Sequence, residues 1–187
     1  MDRAARLAER AFRRAPARSR LASRRAPTVA IFSAEVRAME GTVPEFSLPD
    51  RHGGQWGTKD LLQRREMLLV VIDHADCTSC RRVLEVLAHR HDTDNLSGAA
   101  ALVVVTEAGE RALEGLEPPF PVLRDEDGRI AARLAASAGL AEPRAAIVVS
   151  DRYGRVYWAN PLHAEEPEVL VNDAVEMLDY IGLKCPE

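Results

Sequence analysis

Residues 67–87 hold the strongest constraint in this chain. Six apolar residues, Met67 to Ile72, lead through a short polar turn into Cys77-Thr78-Ser79-Cys80, and RRVLEVLAHR follows. An apolar run that short, rich in β-branched residues, reads as a strand buried on both faces. Val83, Leu84 and Leu87 then fall on one face at helical spacing. The order strand, loop, Cys-x-x-Cys, helix sets Cys77 at a helix N-terminus. Free N–H groups and partial positive charge there favour a thiolate, the species that attacks a disulfide or a peroxide. Cys80 lies most of a turn further in, close enough to resolve a mixed disulfide. Protonated His74 adds to the effect, whereas Asp73 and Asp76 oppose a second negative charge.

The chain around this segment has the length of one domain with room for a real core, 187 residues. Its hydrophobic share of 47% and charged share of 29% are those of an ordinary soluble globular protein. No apolar stretch approaches the roughly 20 residues of a membrane helix, so no membrane association is expected. Three cysteines are too few for a disulfide-stapled scaffold. A Cys-x-x-Cys after a strand, with no evident signal peptide, instead suggests a redox pair in a reducing compartment, and hence a cytoplasmic location. No metal, flavin or nucleotide motif is visible, so no cofactor is expected.

Charge divides the chain. Residues 1–38 hold ten Arg against Asp2, Glu9 and Glu35, a surplus of seven, so the remainder carries −11 of the overall −4. This Arg-rich segment reads as a disordered extension, or as translated sequence upstream of a start at Met39, with the domain proper at residues 39–187. A targeting peptide and a nucleic-acid-binding arm are the alternatives. Phe12 is the one aromatic among the arginines from Arg3 to Arg25, so no nucleic-acid partner is expected.

Within the domain, Pro44 to Asp50 reads as a short edge strand, Arg51 to Gly54 as a turn, and Gln55 to Gly57 as a strand pairing back, with Thr58 capping a short helix through Leu62. The cysteine helix should end near His91. Ala100–Thr106 is a second buried strand, Ala108–Leu113 a short helix, Pro121–Arg124 a short strand and Gly128–Ala138 a helix with Ile130, Leu134 and Ala138 facing inward. Ala145–Val149 is a third apolar strand, joined through Asp151–Gly154 to a returning strand at Val156–Trp158. The last helix spans Val169–Ile181, with Val171, Val175, Leu178 and Ile181 on its inner face. Alternation of strands and helices, then a closing hairpin and helix, predicts an α/β three-layer sandwich with a mixed central sheet.

Several of these segments, taken in order, resemble the thioredoxin-fold redoxins, in particular the alkyl hydroperoxide reductase/thiol-specific antioxidant (AhpC/TSA, peroxiredoxin-like) group. Gly41 with Pro44-Glu45-Phe46-Ser47-Leu48-Pro49-Asp50 and Gly53-Gly54 is similar to that group's opening hairpin. Leu68 to Ile72 leading to Cys77 is similar to its active-site strand and helix. Phe120-Pro121-Val122-Leu123-Arg124-Asp125 with Gly128 resembles its "fPvl.D..G" segment, and Ile147-Val148-Val149 with Asp151 and Gly154 its penultimate hairpin. The resemblance implies a thioredoxin-like fold with an N-terminal hairpin and a thiol-dependent oxidoreductase. Where peroxiredoxins carry Pro-x-x-x-Thr-x-x-Cys, this chain has Val70 and His74. Arg144 is a candidate for the group's distal arginine, and Pro143 stands nearest to the cis-proline position of thioredoxins.

Three function classes follow. The first is a thiol–disulfide oxidoreductase in which Cys77 attacks a protein disulfide and Cys80 releases the product, with electrons from a thioredoxin-type or small-thiol reductant. The second is a thiol peroxidase with Cys77 peroxidatic and Cys80 or Cys185 resolving. The third is a redox-inactive binding or chaperone module. Cys-x-x-Cys can also be half a zinc site, which would need ligands such as His74, His163 or Cys185; the dithiol reading takes precedence, and no metal is expected. Cys185 reads as a bystander at a frayed terminus, and His89 and His91 as solvated. Asp125-Glu126-Asp127-Gly128 reads as a turn and helix cap, and Trp56 and Trp158 as packing residues of the two hairpins.

Overall fold

The computed structural model describes residues 41–75, 77–140, 145–163 and 165–184. The Arg-rich segment 1–38 and the expectations attached to it lie outside these residues. The elements in order are β1 (Ser47–Pro49), β2 (Gln55–Gly57), α1 (Thr58–Leu61), β3 (Met67–Ile72), α2 (Thr78–Asp94), β4 (Ala100–Thr106), β5 (Val122–Asp125), α3 (Arg129–Ser137), β6 (Ala146–Ser150), β7 (Val156–Pro161) and α4 (Pro167–Lys184). Short 3-10 helices cover Asn95–Gly98 and Ala108–Leu113.

All six side chains of β3 are buried, as an apolar run without alternation requires. A strand with no polar face must lie inside a sheet, and β3 is the middle strand of five in the order β5-β4-β3-β6-β7. β3 pairs in parallel with β4 (Val70 opposite Val103) and antiparallel with β6 (Val70 opposite Ile147). The β4–β5 pair is parallel and the β6–β7 pair antiparallel, so the sheet is mixed.

Successive side chains of β3 point to opposite faces. Leu68, Val70 and Ile72 join Val83, Leu84 and Leu87 of α2 and Leu170, Ala174 and Leu178 of α4. Met67, Leu69 and Val71 join Ala131 and Leu134 of α3, with Val43, Phe46 and Leu61 from the N-terminal part. Helices on both faces give the three-layer α/β sandwich, and β1–β2 form the separate antiparallel hairpin before it. Each buried aliphatic side chain contributes roughly 1.5–3 kcal/mol, so the register that buries both faces of β3 is strongly favoured.

Several local expectations differ in detail. α2 runs to Asp94 rather than stopping near His91, and α4 extends from Pro167 to Lys184. Thr58 is the first residue of α1 rather than its cap. Its hydroxyl accepts the Phe46 N–H (3.2 Å), and Asp60 closes the turn by accepting the Gly57 N–H (2.9 Å). Val175 is only half-buried, and Ala174 and Met177 take the inner face instead. The acidic turn at Asp125 is a helix cap as expected. Asp125, buried, accepts the Ala131 N–H at 2.7 Å, and Asp127 accepts that of Arg129 at 3.1 Å.

Gly109 marks a close approach beneath the end of β3. A Cβ there would lie 2.4 Å from the Ile72 carbonyl oxygen, a backbone atom that cannot swing away. Gly182, in the exposed part of α4, has nothing within 4 Å of its would-be Cβ. Gly109→Ala is therefore expected to lower the denaturation midpoint by the equivalent of about 1–3 kcal/mol. Gly182→Ala should raise it by about 0.5–1 kcal/mol. Equal responses of the two variants to urea would contradict this packing.

Candidate functional site

The site is built where β3 stops. Ile72 ends the strand, Asp73 and His74 lead out of the sheet, and α2 begins at Thr78. Cys77 immediately precedes that helix. Its carbonyl oxygen accepts the Arg81 N–H (3.2 Å), the first turn's bond, and its Sγ accepts the Cys80 N–H at 3.0 Å. The sulfur thus stands where a serine or aspartate cap oxygen normally stands, receiving a donor that the helix itself cannot satisfy. A thiolate at this position gains from the N–H and from the helix terminus, typically about 0.3–1 kcal/mol.

Cys77 and Cys80 are joined by a disulfide, with Cα atoms 5.1 Å apart. The two sulfurs are not equivalent. Cys77 is partly buried, whereas Cys80 is fully buried among Leu84, Leu87 and the β3 side chains. Of the two residues, Cys77 lies nearer the surface.

Asp73 ties this corner to the rest of the sheet. Its Oδ1 accepts the backbone N–H of Ala145, at the entrance to β6, at 3.0 Å. The same oxygen pairs with Nδ1 of exposed His74 at 2.6 Å. A carboxylate there places the ring proton on Nδ1 and leaves the other ring nitrogen with its lone pair in the neutral imidazole. A ring nitrogen of His74 and both cysteine sulfurs lie within 4.8 Å of one another. The contact between Asp73 and Ala145 spans 72 residues of sequence, and no local pattern announces it.

The other expected site residues distribute differently. Asp76, Pro143, Arg144 and Cys185 lie outside the described residues. His163 is exposed in the turn after β7. His91 is not solvated as expected: it is half-buried and stands edge-on to Phe120, with ring centroids 6.1 Å apart. Trp56 does pack with its hairpin, and its Nε1–H also donates to Asp50 Oδ2 at 3.0 Å. An open depression of about 450 Å³ between α2 and α4, lined by Arg82, Val86, His89 and Asn172 among others, contains neither cysteine. There Glu168 accepts from Arg82 at 2.8 Å. Its own backbone N–H, and then Arg82, hold the exposed Glu168 carboxyl below the usual carboxylate range. That contribution to folding is present above the ordinary range and is lost as pH falls through the lowered value. Among the described residues no helix is long and apolar enough to cross a membrane.

Comparison with known proteins places this geometry in context. The profile of the AhpC/TSA family matches residues 39–158. Among solved structures, the chain is similar to the peroxidoxin BcpB of Mycobacterium tuberculosis. The TM-score is 0.62 at 20% identity, covering 76% of this chain and 98% of that one. It is also similar to the thioredoxin domain of a thiol-disulfide oxidoreductase from Bacteroides vulgatus, with TM-score 0.57 and 16% identity over 75% and 98% of the two chains. A secreted Mycobacterium tuberculosis disulfide oxidoreductase homologous to E. coli DsbE matches with TM-score 0.55 and 18% identity over 71% and 96%. These likenesses establish the thioredoxin-like fold. No curated protein matches the chain.

Replacing Asp73 by Ala is expected to free the Ala145 N–H, at a cost of about 1–3 kcal/mol for the orphaned donor. Native-state hydrogen exchange at Ala145 should accelerate accordingly, and Asp73→Asn, which retains an acceptor oxygen, should restore much of the protection. Unchanged exchange in Asp73→Ala would show that this bond does not hold the entrance of β6.

Proposed function

This chain belongs to the AhpC/TSA family, and from that membership we propose that it is a thiol–disulfide oxidoreductase working through Cys77 and Cys80. The Cys77 thiolate attacks one sulfur of a substrate disulfide, forms a mixed disulfide and expels the other sulfur as a thiolate. Cys80 then gives up its proton and attacks the Cys77 sulfur. The second substrate sulfur leaves, and the Cys77–Cys80 disulfide closes. A thioredoxin-type or low-molecular-weight thiol returns two electrons and resets the pair. The substrate is a protein disulfide, and no cofactor takes part.

The observation that carries this reading is the asymmetry of the pair. Cys77 Sγ takes a helix N-terminal N–H and belongs to the less buried residue of the pair, while its disulfide partner Cys80 is fully buried. Attack from the less buried cysteine and resolution from the fully buried one match that placement. In this reading His74, with a ring nitrogen within 4.8 Å of both sulfurs and Nδ1 bound to Asp73, takes up and returns the proton of a cysteine thiol. A cytoplasmic location fits a pair that must be re-reduced at each turnover.

Family membership supports a second reading, a thiol peroxidase with Cys77 as the attacking sulfur. Against it stands His74 at the position where peroxiredoxins carry the threonine that orients peroxide.

Two substitutions and one rate test the proposal. Cys77→Ser should abolish reduction of a model protein disulfide such as insulin. Cys80→Ser should stop after the first step and accumulate a covalent adduct at Cys77, detectable by mass spectrometry. Full activity in Cys77→Ser would show that Cys77 is not the attacking sulfur, and no insulin reduction by the unsubstituted reduced protein would sink the oxidoreductase reading and favour a binding module. Thiol loss to one equivalent of hydrogen peroxide should be no faster than that of free cysteine; much faster loss starting at Cys77 would make the protein a peroxidase.

A further inference from the structure

We infer that the reduced site is also a zinc site, in which His74, Cys77 and Cys80 supply three ligands and the fourth position is left to solvent. The inference uses the same two cysteines as the proposed function but does not depend on disulfide exchange occurring.

Three observations converge on it. A ring nitrogen of His74 and both sulfurs lie within 4.8 Å of one another. Tetrahedral zinc with bonds of about 2.3 Å to sulfur and about 2.0–2.1 Å to nitrogen sets its ligand atoms roughly 3.5–3.8 Å apart. Reduction frees the sulfurs to separate to that spacing, and their Cα atoms, 5.1 Å apart, need not move far. The second observation is the orientation of the histidine. Asp73 Oδ1 engages Nδ1 at 2.6 Å, and the same oxygen is held by the Ala145 N–H at 3.0 Å. A carboxylate on one nitrogen of an imidazole leaves the other for a metal, and is the usual way a ligating ring is oriented and its basicity raised. Third, the Cys80 N–H already donates to Cys77 Sγ at 3.0 Å, as donors commonly do to metal-bound thiolates, whose charge they offset.

His74 is exposed and Cys77 only partly buried, so a fourth ligand would come from the open side. Two cysteines, one histidine and an open position form a recognised ligand set for zinc. Both thiols enter as thiolates, so each ion bound releases two protons and no electrons move. Zinc and the disulfide exclude each other, because each engages both sulfurs. When a disulfide substrate takes two electrons from the bound dithiolate, the Cys77–Cys80 disulfide forms, two substrate thiolates leave and the ion is released.

The test uses the full chain carrying Cys185→Ser, so that the third cysteine cannot contribute. Zinc ion alone is titrated into the reduced and the oxidised protein in competition with a chromogenic chelator. Cobalt substitution reports thiolate ligation through its charge-transfer and tetrahedral d–d absorption. One zinc per reduced chain and none per oxidised chain are expected. His74→Ala should weaken binding about tenfold or more, and His74→Cys, which restores a soft ligand, should recover it. No stoichiometric zinc in the reduced protein, or unchanged affinity in His74→Ala, would overturn the inference. Insulin reduction by the same metal-free samples reads the exchange activity separately, so either reading can fail without the other.

Discussion

Two-sided burial of β3 is the constraint on which the rest depends. No residue from Met67 to Ile72 has a polar side chain, so neither face of the strand can meet water. Parallel β4 on one side and antiparallel β6 on the other satisfy its backbone, and α2, α3 and α4 cover its faces. The C-terminal end of a strand held that way is a fixed point. The chain must leave the sheet at Asp73, and the polar loop that follows has little choice but to turn into α2. The position of Cys77 is thus inherited from hydrophobic burial rather than from any interaction of the cysteine itself.

Those parts of the molecule whose physics is local were legible in the sequence. β3 and β4 could be read to the residue because an apolar run has clear edges, and Asp125 was recognisable as a cap because turn and cap chemistry act over a few positions. Errors arose where a side chain's role depended on something distant. Thr58 looked like a cap, but Phe46 claims its hydroxyl from twelve residues upstream. His91 looked solvated by its spacing, yet Phe120 from another segment packs against it.

The site shows the same division. Placing Cys77 at the start of α2 needed only the order of strand and helix. The junction of Asp73 with Ala145 needed the whole fold, since it joins the exit of β3 to the entrance of the neighbouring antiparallel strand β6. His74 was noticeable as a charge near the cysteines, but its pairing with Asp73 and its distance to both sulfurs follow from the loop's path. Adjacent residues in sequence, Asp73 and His74, become a single unit only because one carboxylate oxygen serves both the sheet and the imidazole.

The small β1–β2 hairpin bears on a different property, the behaviour of the sheet's borders. Asp50 bridges antiparallel to Leu123, and the Arg51 N–H donates to the Val122 carbonyl at 3.1 Å, so the chain leaving β1 lies along the outer side of β5. Backbone groups there that would recruit a foreign strand are already engaged. The opposite border, β7, is met at its start by Gly41, whose carbonyl accepts the Val156 N–H at 2.9 Å; its pairing with β6 shifts register at Val149/Ser150 of that strand, and it ends in Pro161, which has no N–H to offer. One margin is covered and the other broken, and a five-stranded sheet with so apolar a centre is thereby discouraged from growing into an intermolecular one.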